Sequence, residues 1–164
     1  MITIVAYTPS WISAYQTERE FLASKFSACS PKIEHVGSTS IGIDAKPIVD
    51  IAIGLKDLAD LNSVDLRALA AQKWFRIKKT FPDSVVLAKY NDDSYQTKTH
   101  FAHVVVEGTS RWRELVVFRD KLIASEALRQ EYLMLKLKLA DECGDDIDRY
   151  SEAKKAFVLS VVNS

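Results

Sequence analysis

The sequence predicts an α+β fold in which a mixed β-sheet carries packed helices and the C-terminal third is helical. Three observations predict this class. Apolar, β-branched segments of strand length, separated by polar turns, occur at 33–36, 48–55, 75–78, 85–90 and 99–107. Apolar side chains recur at helical spacing over 9–26 and 57–73. From Thr109 onward the spacing is helical throughout.

Length and composition favour one domain, spanning residues 1–164. A chain of this size buries roughly two-thirds of its unfolded surface without disulfides. The 22 basic residues balance the 22 acidic ones, which gives no reason to expect nucleic acid as an obligatory partner. No segment has the character of a signal peptide or a membrane span. Cys29 and Cys143 are therefore expected to be buried, reduced thiols in a cytoplasmic protein.

The first residues are expected to form an apolar arm and a docking helix. The arm, Ile2–Ala6, either pairs at a sheet edge or packs against the body of the fold. Thr8 is the expected cap of the helix, with Pro9 at its first position, where the missing N–H costs nothing. Glu18 is expected away from the buried stripe. That stripe comprises Trp11, Tyr15, Leu22 and Phe26.

The segment Ile48–Leu55 is predicted to be a buried strand with one carboxylate, Asp50. Side chains alternate along a strand, so the apolar Val49, Ile51, Ile53 and Leu55 share one face, and Asp50, Ala52 and Gly54 share the other. An ionised carboxylate in such a strand requires a cation, a metal, hydrogen-bond donors or a water-filled cleft. Asp50 is therefore the first candidate for a functional residue.

The turn before this strand has the composition of a phosphate-binding loop. Gly37 allows the backbone to approach a ligand closely. Ser38, Thr39 and Ser40 add hydroxyls where a turn opens into a helix, and the free N–H groups of such a start attract phosphate oxygens. The same residues also fit a plain turn with a helix cap. Their proximity to Asp50 in the sequence favours the binding site.

The run IEHVGSTS, followed by AKPIVDI, resembles the GrpB family within the nucleotidyltransferase superfamily of polymerase-β-like fold. The resemblance continues in THFAHVV at 99–105, in Phe-Arg-Asp at 118–120 and in two later Tyr and Lys pairs, so it covers nearly the whole chain. It implies a mixed sheet of nucleotidyltransferase type. It also implies that Gly37 and Ser38 contact the triphosphate of an NTP and that Asp50 binds Mg²⁺ or Mn²⁺.

Two departures from the superfamily pattern bear on catalysis. The superfamily usually carries a second carboxylate two residues after the first, and here that position is Ala52. GrpB-like sequences commonly lack this carboxylate as well. The loop at 41–44 reads IGID where the family tends to have a Val-Pro-Gly-Leu run. Metal binding then requires Glu34 or Glu107 to complete the shell, a histidine in place of a carboxylate, or a single ion.

The middle of the chain adds two helical pieces and three strands. Ser63 is expected to begin the second helical piece, and residues 82–84 form the turn between two strands. Residues 91–94, Asn-Asp-Asp-Ser, are interpreted as an exposed turn, because they lack the ligand spacing of a calcium loop. In the last strand, alternation places His103 and His100 on opposite faces of the sheet.

The two histidines have open interpretations. His103 is either a hydrogen-bonded core residue or a catalytic residue that orients the acceptor hydroxyl or acts as base. His100 is an acceptor-side or structural residue.

The C-terminal helices supply candidate cations. Ser125 is expected to cap one helix, Gly144 to end it, and Asp145 or Asp146 to open the last, with Ile147 inside. Arg119, Lys136 and Lys154 are either solvated charges or the cations that neutralise a triphosphate. Lys46, just before the Asp50 strand, has the same candidate role.

Three functional hypotheses fit these residues. In the first, a divalent metal held by Asp50 assists transfer of a nucleoside monophosphate from an NTP to an unknown small-molecule acceptor, with pyrophosphate leaving. In the second, the protein is a catalytically silent nucleotide- or anion-binding module on the same scaffold. In the third, the pocket takes another phosphorylated or anionic metabolite.

Overall fold

The structure, a computed structural model, describes residues 1–164. Its helices are α1 (Ser10–Lys25), α2 (Leu66–Ala71), α3 (Ser110–Ala124), α4 (Glu126–Cys143) and α5 (Ile147–Val162). Its strands are β1 (Lys32–Val36), β2 (Val49–Leu55), β3 (Trp74–Arg76), β4 (Ser84–Tyr90) and β5 (Lys98–Val106). The predicted α+β class with a helical C-terminal third is confirmed. None of the helices has both the length and the apolar composition needed to cross a membrane.

The five strands form one mixed sheet in the order β1-β2-β5-β4-β3. Strands β2 and β5 are parallel, and the other neighbours are antiparallel. Within this register Val36 of β1 lies opposite Asp50, and His103 of β5 lies opposite Ala52. The position of β2 inside the sheet explains its nearly continuous apolar sequence, since every residue of the strand except Asp50 is buried.

Different helices cover the two faces of the sheet. The apolar face of β2 packs with α1 and α2 in the largest core, around Leu22, Phe26 and Leu69. On the other face α3 lies over the end of β2, because Gly54 admits the Trp112 ring: a Cβ at Gly54 would lie 2.8 Å from that ring. Asp50, near the start of β2, lies beyond this cover.

Helices α3, α4 and α5 have a core of their own, which includes Phe118, Tyr132 and Val161. Ile41 and Ile43, from the loop before β2, pack into the same core. The predicted helix ends are confirmed: Ser125 caps α4, Gly144 with φ +58° follows its end, and Asp146 caps α5. Ile147 was expected inside and is exposed, because it is the first residue of α5 and faces solvent.

The N-terminal residues form an arm outside the sheet. Val5 pairs with Ala45 in the loop before β2, and the N–H of Ile2 donates to the carbonyl of Gly144 at 3.1 Å. The arm thus joins that loop to the end of α4. Cys29 and Cys143 are buried free thiols, as predicted.

Three local predictions were wrong. Pro9 occupies the N-cap position of α1 and the helix begins at Ser10. Helix α2 is capped by Asp65, whose carboxylate accepts two backbone N–H groups, so Ser63 does not begin it. Glu18 is buried, because it lies three residues after Tyr15 and so on the same stripe of α1.

Candidate functional site

The glycine-serine turn lies directly against Asp50. Gly37 has φ +71° and ψ −173°, a region open essentially to glycine alone. A Cβ built on Gly37 would lie 2.5 Å from Oδ2 of Asp50. The contact follows from the register, because Val36, the last residue of β1, is the cross-strand neighbour of Asp50. The Asp50 side chain remains 29% exposed, so solvent and ligands reach it.

His103 holds the other oxygen of the carboxylate. Its Nε2 lies 3.0 Å from Oδ1 of Asp50. Since a carboxylate only accepts hydrogen bonds, Nε2 carries the proton in this pair. The Nδ1 atom of His103 is buried and has no hydrogen-bond partner. His103 is therefore arranged to orient Asp50, and neither ring nitrogen is free to serve as the base for an acceptor hydroxyl.

His100 faces the opposite side of the sheet, as alternation predicts. Its Nε2 lies 3.3 Å from the carbonyl of Ala14 in α1, to which it donates, and its Nδ1 lies 2.8 Å from Oγ1 of Thr99. The structure thus gives His100 a role in joining α1 to β5, on the side away from Asp50.

The hydroxyls of the turn have different roles. Thr39 is buried, and its Oγ1 lies 3.0 Å from Nε2 of His35. The Ser40 hydroxyl donates to the carbonyl of Gly37 at 2.6 Å. These two side chains were predicted to bind phosphate, but they are used to hold the turn itself. Ser38 differs, because its hydroxyl bonds the Tyr132 phenol of α4 and so opposes the rise that burial causes in the pKa of Tyr132.

His35 is a residue of this site that the sequence analysis missed. Its ring stacks on Tyr15 of α1, with centroids 4.6 Å apart and planes 11° apart. Burial lowers the pKa of His35 to about 4, although the charge of Asp50 opposes the shift. A neutral imidazole is therefore present at neutral pH to bond Thr39 and support the turn. The stretch IEHVGSTS contained His35, but nothing in its spacing indicated a partner four residues later.

Three lysines from separate elements are close enough to Asp50 for its charge to affect their pKa values. Lys136 of α4 is only 1% exposed, and its Nζ donates to the carbonyl of Asp44 at 2.7 Å. Lys154 of α5 and Lys46 of the loop before β2 both approach the Tyr150 ring, at 4.2 and 5.7 Å from its centroid. All three were candidates in the sequence, and the fold brings them together.

None of these three amines forms a salt bridge with a carboxylate. Burial lowers the pKa of Lys136 to about 7 and that of Lys154 to about 8. Burial also lowers the pKa of Lys46. In each case the charge of Asp50 opposes the effect of burial and favours the charged lysine. A neighbouring lysine adds to the lowering: Lys98 for Lys46, Lys154 for Lys136 and Lys46 for Lys154. An anion placed among them would stabilise all three charged forms.

Arg119 does not belong to this group of free cations. Its Nη1 donates to Oε2 of Glu34 at 2.8 Å and to the carbonyl of His35 at 2.9 Å, and its Nε donates to Asp120. The guanidinium therefore joins α3 to β1. The prediction that Arg119 contacts a triphosphate is not supported, because two carboxylates already neutralise it.

The residues around Asp50 do not fit a resident metal centre. No group of three or more His, Cys, Asp or Glu side chains is arranged to hold an ion. Glu34 is paired with Arg119, and Glu107 with Lys32. Glu107 also lies beside Leu55, at the far end of β2, about 17 Å along the strand from Asp50. Neither glutamate completes the shell that the resemblance implies.

The sheet, the glycine-serine turn and the strand carboxylate define a fold of the nucleotidyltransferase, polymerase-β-like class. Comparison with solved structures agrees. A cytoplasmic RNA terminal U-transferase matches with a TM-score of 0.56 at 11% identity, over 84% of this chain and 43% of that one. The GLD-2/RNP-8 complex matches with a TM-score of 0.61 at 16% identity, over 91% and 50%. At these identities the likeness concerns the fold alone.

Within this class the chain belongs to the GrpB family. The family model described as GrpB protein matches residues 1–164. The glutamate-rich protein GrpB of Alkalihalophilus pseudofirmus is 32% identical over 164 residues, which are 99% of this chain and 94% of that protein. The crystal structure of the conserved protein GrpB from Enterococcus faecalis matches with a TM-score of 0.83 at 24% identity, over 98% and 95% of the two chains.

Proposed function

We propose that the cleft between the Gly37–Ser38 turn, Asp50 and the lysines of α4 and α5 binds the phosphate groups of a nucleotide. The observation that carries the proposal is the placement of Lys46 and Lys154 at the same Tyr150 ring, with Lys136 buried on the neighbouring helix; the charge of Asp50 acts on the pKa of all three. Lysine is a common phosphate ligand in proteins, as a point charge with three donors. The nucleotidyltransferase-type fold supports a nucleotide as the carrier of those phosphates.

Each part of the cleft has a physical role in this proposal. Gly37 lets the turn pack directly against Asp50, and Ser38 places a hydroxyl on that turn. The lysines lose little solvation on meeting an anion, because burial has already removed most of their water. Asp50 keeps the empty cleft from accumulating unbalanced positive charge. We further propose that the protein acts in the cytoplasm, where Cys29 and Cys143 stay reduced.

The hydrogen bond between His103 and Asp50 favours a second candidate, nucleotidyl transfer. Here Mg²⁺ or Mn²⁺ arrives with the NTP as part of the substrate, where it offsets phosphate charge. Asp50, oriented by His103, is the group placed to take the proton from the hydroxyl of a small-molecule acceptor. Ala52 supplies no second carboxylate, which makes binding without transfer the function that the geometry supports best.

The test measures thermal stability with each of the four common NTPs, in EDTA and in excess Mg²⁺. We expect stabilisation in EDTA that falls in Lys154→Gln and persists in Lys155→Gln, since Lys155 is the exposed neighbour on the same helix. The size of the shift reports affinity, because a ligand that binds only the folded state stabilises it by mass action.

The other outcomes distinguish the alternatives. Stabilisation that requires Mg²⁺, disappears in Asp50→Asn and is accompanied by pyrophosphate release supports transfer. Stabilisation by inorganic pyrophosphate but by no NTP supports another phosphorylated metabolite. No stabilisation by any of these anions contradicts the proposed function.

A further inference from the structure

A pocket of ≈ 540 Å³ lies on the face of the sheet opposite Asp50. It is bounded by α1, by the end of α2 and by the ends of β4 and β5 that meet there. Its walls include the apolar residues Trp11, Ala14, Val49 and Ala71, and its charged residues are Lys73 and Lys89. No carboxylate lines it. The volume falls in the range of small-molecule sites.

A buried ion pair lies beneath this pocket. The Nζ of Lys89 is 3.0 Å from Oε1 of Glu18 and donates to the carbonyl of Gln72 at 2.8 Å. The other oxygen of Glu18 accepts from Nε1 of Trp74 at 2.9 Å. The side chains of Lys89 and Glu18 are only 18% and 10% exposed. A buried ion pair is weak evidence for stability, since replacing it by apolar residues is often neutral or stabilising.

The Lys89 ammonium has two partners within the protein. An ammonium group has three N–H donors, and Glu18 and Gln72 engage two of those on Lys89. Lys89 also lines the pocket, so a molecule bound there lies beside this side chain.

The rim of the pocket has unusual backbone geometry. Only three residues other than glycine have a positive φ, and two of them, Lys73 (φ +64°) and Tyr95 (φ +53°), lie beside this pocket. Tyr95 contacts Tyr90, which lines the pocket, with ring centroids 5.7 Å apart. Lys73 directly follows Gln72, the C-cap of α2, and a left-handed residue at this position is a common way for a helix to end. The partner of Lys73, Asp93, is 90% exposed and 3.4 Å away, a pair that a bound anion can replace at little cost.

We propose that this pocket is a ligand site for a small organic anion with an apolar body, such as a carboxylate on a planar or branched skeleton. The apolar walls bury the skeleton, Lys89 binds the charged group from below, and Lys73 binds it at the rim. The lack of a lining carboxylate disfavours a cationic ligand. This site is separate from the phosphate cleft, because the sheet lies between them, and the inference does not depend on the proposed function.

The test uses fluorine NMR of the full chain with para-fluorobenzoate as the anionic probe and para-fluorobenzamide as its neutral counterpart. We expect saturable broadening of the benzoate signal at up to about 5 mM, and roughly fivefold weaker binding of the amide, the scale of a partly exposed ion pair. Lys73→Gln should weaken benzoate binding to a similar degree. Lys78→Gln, an exposed lysine outside the pocket, should leave it unchanged. Ala71→Trp should abolish binding by filling the pocket.

Three results would overturn the proposal. The first is no saturable benzoate binding to folded wild-type protein. The second is equal binding of the two probes, or binding that Lys73→Gln and Ala71→Trp leave unchanged. The third is loss of binding in Lys154→Gln, which would place the probe in the phosphate cleft.

Discussion

Oδ2 of Asp50 occupies the space into which a side chain at Gly37 would project. A Cβ on Gly37 would lie 2.5 Å from this oxygen and 2.9 Å from the Cβ of Asp50. The turn and the strand carboxylate are therefore in van der Waals contact, and each fixes the position of the other. This contact explains why a glycine precedes the serine at this turn.

Gly37→Ala is expected to destabilise the protein by about 3 kcal/mol, from the left-handed backbone and the overlap with Asp50 together. Gly42→Ala is the matched control, because Gly42 has a similar φ of +76° with nothing within 4 Å of the added Cβ. It should cost about 1 kcal/mol, the backbone effect alone. Urea denaturation measures both. Equal losses would show that the contact with Asp50 is relaxed in solution.

The free energy of unfolding should increase with pH partly because of Lys136. Burial lowers the pKa of this residue from 10.5 to about 7, so between those values the unfolded chain binds a proton that the folded protein lacks. Stability rises with pH wherever the unfolded state binds more protons. Lys136→Met should therefore flatten the rise between about pH 7 and 9, whereas Lys138→Met, at an exposed position of α4, should not. Denaturation across that range gives the slopes, and unchanged slopes in Lys136→Met would contradict the expectation.

Asp50→Asn should destabilise the protein by about 2 kcal/mol at neutral pH, because the lysines around it lose the carboxylate that they share. Asp120→Asn, at an exposed position beside Arg119, should change stability by no more than about 0.5 kcal/mol. Inorganic phosphate should reduce the loss in Asp50→Asn, since it replaces the missing negative charge. Chemical denaturation with and without phosphate measures this, and a loss that phosphate leaves unchanged counts against an anion site.

Lys89→Met should cost about 3 kcal/mol, because it leaves the buried carboxylate of Glu18 without its cation. Lys79→Met is the control, since Lys79 pairs with Asp148 on the exposed surface, and its effect should be within about 0.5 kcal/mol. Thermal or urea denaturation of the two variants provides the comparison. Similar values would mean that water reaches Glu18 freely.

The part of the candidate site that lies on strands β2 and β5 was predictable from the sequence. A period of two places Asp50 on the polar face of β2 and sets His103 and His100 on opposite faces of β5. Once the neighbours of a strand are fixed, a shift of one residue would bury the wrong face, so few alternatives exist. The glycine-serine turn was also predictable, because Gly37 and the hydroxyl residues that follow it end an apolar segment of strand length.

The partners of the charged residues were not predictable. Glu18 was expected off the apolar stripe of α1, yet it accepts a buried hydrogen bond from Trp74, 56 residues away in the sequence. Arg119 was expected to be either a solvated charge or a phosphate contact, and its partner Glu34 is 85 residues away. Such pairs depend on how whole helices dock on the sheet. Lys136 and Lys154 were identified as cations, but only the packing of α4 and α5 shows that they meet.

The two halves of the cleft come from opposite ends of the chain. The turn and Asp50 belong to the first third, whereas Lys136 and Lys154 lie on the last two helices. A ribosome therefore delivers the turn, Lys46 and Asp50 before it delivers α4 and α5. Until α4 and α5 dock, only His103 and Lys46 of these residues lie near the Asp50 carboxylate. An anion bound in this cleft would therefore mark a chain whose synthesis and folding are finished.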